Sequence, residues 1–173
     1  NVPVAVPGLA GAVVFAIGTG SGHSCAVTTA GAVSCWGQNT AGSWEHPGTD
    51  APRNSATPVA VAGASSGVVA VAGGVNYTCA RFTSGAVKCW GQGGSLGIGT
   101  IDGKDSATQV VGLTSGVTAI AAGPGHACAI QGGALKCWGS TKFGEFGVGT
   151  PVAEADTDGS GIASGPTIIG PDD

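Results

Sequence analysis

His23-Ser24-Cys25-Ala26-Val27-Thr28-Thr29-Ala30-Gly31-Ala32-Val33-Ser34-Cys35-Trp36-Gly37 is a stretch that the chain writes more than once. It returns as Tyr77-Thr78-Cys79-Ala80-Arg81-Phe82-Thr83-Ser84-Gly85-Ala86-Val87-Lys88-Cys89-Trp90-Gly91, and again as His126-Ala127-Cys128-Ala129-Ile130-Gln131-Gly132-Gly133-Ala134-Leu135-Lys136-Cys137-Trp138-Gly139. A period of roughly 50 residues marks a repeat architecture, whose unit cannot bury its apolar face alone.

Each copy reads as a β-hairpin closed by a disulfide. In the third, Cys128 and Cys137 lie symmetrically about Gly132-Gly133, a two-residue loop suited to a type I′ turn. Counting outward, Gln131 faces Ala134, and Cys128 faces Cys137 at a non-hydrogen-bonded position, where Cα atoms approach to about 4.5 Å and a disulfide can span them. The first copy is one residue longer and centres on Ala30, so Gly31 falls where a three-residue loop needs a left-handed residue. Thr83-Ser84-Gly85 repeats this between Cys79 and Cys89. The pairs expected are Cys25–Cys35, Cys79–Cys89 and Cys128–Cys137.

Working outward, a short apolar strand precedes each hairpin: Val13-Val14-Phe15-Ala16-Ile17, Val68-Val69-Ala70-Val71 and Val117-Thr118-Ala119-Ile120. A further strand stands before each of these. They are Val2-Pro3-Val4-Ala5-Val6-Pro7-Gly8-Leu9, an edge strand by its prolines, then Pro58-Val59-Ala60-Val61 and Gln109-Val110-Val111-Gly112-Leu113. Four strands per unit are the content of one propeller blade, so the expected fold is all-β, with units at 1–57, 58–108 and 109–165. Pro166-Thr167-Ile168-Ile169-Gly170 then reads as the opening strand of a fourth unit over 166–173, or as a strand for exchange with a neighbour. Closed propellers need 4–8 blades, so three leave two edges to be covered by other copies or by further repeats.

Composition narrows the function. Apolar residues make up 42% of the chain but aromatics only 5%, and 34 glycines favour short strands and turns over helices. Six Lys and Arg against ten Asp and Glu cannot supply a phosphate-neutralising surface, which speaks against nucleic acid. No apolar run reaches the roughly 20 residues of a membrane-spanning helix. Paired cysteines imply an oxidising compartment, secreted, periplasmic or at the cell surface, and the expected location is extracellular or at the cell surface. The chain has no methionine, so a removed leader or a longer parent chain is expected.

The candidate sites are few. His23, Tyr77 and His126 occupy one repeated position and read as structural, hydrogen-bonding a neighbouring turn. Ser24 beside His23 is no nucleophile, since neighbours on a strand face opposite ways and no acid recurs nearby. Trp36, Trp90 and Trp138 read as packing over the disulfides. Trp44 breaks the pattern and is a candidate ligand contact. The cysteine spacings, with nine, nine and eight residues between partners, are too long for a zinc site. Glu154, Asp156 and Asp158 before Gly159 resemble the opening of a calcium loop, although the twelfth position is Gly165 rather than an acid. Asn76-Tyr77-Thr78 is a glycosylation sequon. The glycine-rich stretches lack the lysine of a phosphate loop.

The Ala-Gly-x-x-His-x-Cys-Ala pattern, the Gly-x-Val-x-Cys-Trp-Gly pattern and the pieces Leu96-Gly97-Ile98-Gly99-Thr100 and Phe146-Gly147-Val148-Gly149-Thr150 resemble the regulator-of-chromosome-condensation (RCC1-like) repeat family, in its bacterial extracellular branch. The resemblance implies a seven-bladed propeller, of which three blades are an incomplete set. It also implies action by protein–protein contact, as in secreted relatives that inhibit β-lactamases. The nucleotide-exchange activity of the eukaryotic namesake is not carried over. Thr40-Ala41-Gly42-Ser43-Trp44 departs from the family pattern after Trp36. The expected function is a non-enzymatic extracellular scaffold that self-assembles into a ring or filament, with a lectin-like or inhibitor-like binding module as the alternative.

Overall fold

The computed structural model describes residues 2–9, 14–39 and 54–147. Eleven strands fall in them: β1 (Val14–Thr19), β2 (His23–Thr28), β3 (Val33–Gln38), β4 (Asn54–Ala60), β5 (Val68–Gly73), β6 (Tyr77–Phe82), β7 (Val87–Gly91), β8 (Lys104–Gln109), β9 (Val117–Ala122), β10 (His126–Gln131) and β11 (Ala134–Gly139). They form three antiparallel sheets, ordered β1-β2-β3-β4, β5-β6-β7-β8 and β9-β10-β11. The all-β propeller-blade expectation holds.

The hairpins form as their turns require. Gln131 pairs with Ala134 and Cys128 with Cys137, around Gly132 and Gly133 at φ 60° and 86°. Gly31 and Gly85 take the left-handed place in the longer loops, at φ 76° and 78°. All three disulfides close, each across a Cα separation of 4.1 Å.

The sheets are phased differently from the units read in the sequence. Val59 pairs with Cys35 and Ala60 with Ser34, so β4 closes the first sheet rather than opening the second. Likewise Gln109 of β8 pairs with Lys88 of the second sheet. A turn then locks each closing strand. Val61 donates its N–H to the Val33 carbonyl, and Val33 donates back to Ala64, at 3.0 and 2.9 Å. Val110 and Leu113 hold Val87 in the same way, at 3.0 and 2.8 Å. A repeat has a period but no marked start. These backbone bonds, made across a loop, choose the start. Residues 166–170 lie outside the described residues, and residues 2–9 have no strand beside them among the described residues.

The apolar cores lie between sheets. Cys25, Val27, Val33 and Cys35 of the first sheet pack with Val61, Ala64, Val68, Val71 and Trp90. Cys79, Val87 and Cys89 of the second pack with Leu96, Leu113, Val117, Ala127, Ala129 and Trp138. Trp90 and Trp138 therefore each join the core of the preceding sheet's disulfide, not their own. A blade alone has no core, because its apolar face is completed only by its neighbour.

Candidate functional site

The repeated His/Tyr position is a strut between blades. His23 is buried, and its Nε2 lies 2.8 Å from Thr78 Oγ1 in the next sheet. Tyr77 reaches one sheet further along, its hydroxyl donating to the carbonyls of Gly123 at 3.0 Å and His126 at 2.5 Å. Burial lowers the His23 pKa from its ordinary value and raises that of Tyr77, favouring the neutral form of each. A neutral imidazole fixed on a threonine hydroxyl is a structural contact. Thr78 is fully buried and His23 nearly so, so the pair lies between the sheets away from solvent.

The tryptophan position divides the molecule into covered and uncovered faces. Trp138 is buried beneath Leu96 and Gly97 of the second sheet's connection. Gly97 sits at φ 66°, and a Cβ added there would meet the indole Cδ1 at 2.5 Å, so the close approach requires glycine. Among the described residues no sheet precedes Trp36, which is only half-buried. It lines an apolar cavity of about 480 Å³ with Val6, Leu9, Val14 and Ile17. Ile17 is 71% exposed, whereas Val71, its counterpart in the second sheet, is 8% exposed.

The far end shows the matching loss. Leu135, the second residue of β11, is 62% exposed, while its counterparts Val33 and Val87 are 1% and 0% exposed. Phe146 repeats the place of Leu96, and Gly147 that of Gly97, yet among the described residues nothing lies within 4 Å of a Cβ built on Gly147. The outer edge of β11 has no strand beside it among the described residues. Leu135 and Ile17 carry no individual mark in the sequence, whereas the Leu/Phe-Gly wedge stands in the repeated pieces 96–100 and 146–150. Aligning the repeats locates them, but only the neighbouring sheets reveal which copies are covered.

Other candidates fare differently. Asn76 stands at a turn with φ 59° and donates its side-chain amide to Gln92 Oε1 at 3.2 Å, while Tyr77 and Thr78 of the sequon are buried. Trp44 and the acidic set Glu154, Asp156 and Asp158 lie outside the described residues. Among the described residues no cluster of His, Cys, Asp and Glu could hold a metal ion, and no helix is long and apolar enough to cross a membrane.

A family model of the regulator of chromosome condensation (RCC1) repeat matches residues 16–43. No curated protein sequence matches the chain. Among solved structures, human WBSCR16 is similar at 25% identity with a TM-score of 0.71, over 83% of this chain and 38% of that one. Yeast RCC1 (Prp20), solved bound to Kap60, is similar at 20% identity and a TM-score of 0.71, over 90% of this chain and 37% of that one. The ectodomain of the Physcomitrella patens receptor kinase CR4 follows at 23% identity and a TM-score of 0.55, over 88% and 36%. The blades are thus those of an RCC1-like β-propeller. The chain spans well under half the length of these proteins.

Proposed function

We propose that the protein is a non-enzymatic, extracellular scaffold of the bacterial secreted type that works by protein–protein contact, including contact with its own copies. The observation that carries this is the pair of end faces. Trp36 and Ile17 at one end, and Leu135 and the β11 edge at the other, are the groups that every interior blade covers. Exposed apolar surface and an open sheet edge are where partners bind. The three disulfides support an oxidising compartment, since such bonds persist there and are reduced in the cytosol. The strut role of His23 and Tyr77 supports a binding rather than a catalytic protein. Yeast RCC1, which shares this fold, was solved bound to Kap60, and a protein partner for a protein of this fold supports the reading.

The test is the mass of the native, unreduced particle by light scattering, with an image of the same sample. Discrete particles of two or more copies, or an open polymer, are the expected results. A monomer at every concentration would sink the self-association. Saccharide binding lost in Trp36→Ala would instead favour the lectin-like reading, with the apolar cavity as its site.

A further inference from the structure

Given the self-association proposed above, we infer that the Trp36 face of the first sheet, together with residues 2–9, docks head to tail on the β11 face of the third sheet of a second copy. Residues 2–9 already have the shape of a closing strand. Pro3-Val4-Ala5-Val6 repeats Pro58-Val59-Ala60-Val61 residue for residue. Leu9 N–H bonds the Val6 carbonyl at 3.4 Å, as Ala64 bonds Val61 and Leu113 bonds Val110, both at 3.2 Å. Gly8 at φ 86° matches Gly63 and Gly112 at 74° and 73°. Yet this strand closes no described sheet, and Val4 is 82% exposed.

The second copy's β11 offers what the strand lacks. Val59 faces Cys35 and Thr108 faces Cys89, so the repeated register sets Val4 opposite Cys137 and Ala5 opposite Lys136. Val6 and Leu9 then cover Leu135, as Val61 and Ala64 cover Val33. In the same docking, Phe146 enters the cavity at Trp36, and the indole fills the open space at Gly147, reproducing the contact of Gly97 with Trp138. Strand addition and the aromatic wedge are separate features, and one placement satisfies both. The two faces differ, so the contact is heterologous and gives a ring or a filament.

The test uses the full oxidised chain in sedimentation velocity over a concentration series, with three variants. Gly147→Asn obstructs the seat of the indole while meeting nothing among the described residues of its own copy. Trp36→Ala removes the other side of the contact. Val4→Pro removes an inward N–H, because Val61 donates inward and N–H groups two residues apart face the same way. Each variant is expected to weaken association at least about tenfold with the circular dichroism spectrum unchanged. Mixed one to one, Trp36→Ala and Gly147→Asn retain one sound face each and form a dimer but nothing larger. A mixture that stays monomeric, or variants that associate as the wild type does, overturns the interface, and in the latter case self-association itself stands. A monomeric wild type overturns both. A wild type that associates only after removal of residues 166–173 shows that its own C-terminal segment covers β11, and overturns the docking for the intact chain.

Discussion

The interface between the second and third sheets and the two end faces are built from the same repeated residues, yet they have opposite surroundings. Trp138 is buried under Leu96, and Trp36 borders an apolar cavity. Val87 is sealed beneath Val110 and Leu113, and Leu135 stands open. The difference teaches that a residue's role in a repeat protein is set by the blade beside it as much as by its own blade. Replacing one residue in its covered and uncovered copies therefore separates what folds the chain from what binds.

The largest effect is expected at tryptophan. In urea denaturation of dilute protein, Trp138→Ala should cost about 3–5 kcal/mol and Trp36→Ala far less. Equal costs would break the comparison, since they would mean that Trp36 is covered after all. Next, replacing Cys79 and Cys89 together with alanine should cost about 2–3 kcal/mol, the entropy of the short loop they close. Because Cys79 and Cys89 belong to the core shared with Trp138, and Cys128 lies outside it, the Cys128/Cys137 double variant should lose less.

Glycine gives a finer contrast. Gly97→Asn should destabilise by about 1–3 kcal/mol more than Gly147→Asn. Both sites have positive φ, which asparagine tolerates, so the difference isolates the indole contact. A thermal melt showing no difference would mean that Trp138 yields without cost. The smallest effect is electrostatic. Burial lowers the His23 pKa in the folded chain, whereas unfolding returns it to about 6.5. Below that pH the unfolded chain binds a proton that the folded chain resists. Stability from neutral His23 is thus full above about 6.5 and falls as the pH drops toward the folded value. His23→Gln should flatten that acid-side fall, and an unchanged slope would remove His23 as its source.

The sequence by itself determined the period, the hairpins and the disulfides, because these are local. Gly132-Gly133 and Gly31 fix their turns, and the turns oppose the cysteines within about ten residues. The recurrence of His23 and Tyr77 also pointed to the contacts they make with the neighbouring sheet. The tertiary structure alone decided the phase of the repeat, since β4 chooses β3 across a long loop and Val61 locks it there. It alone showed that Trp90 and Trp138 pack on the preceding sheet's disulfide. It also separated the covered from the uncovered copies of Trp36, Val33 and Gly97. Local turns need only nearby residues, but burial needs a neighbouring sheet, and the repeats look alike whether or not one is there.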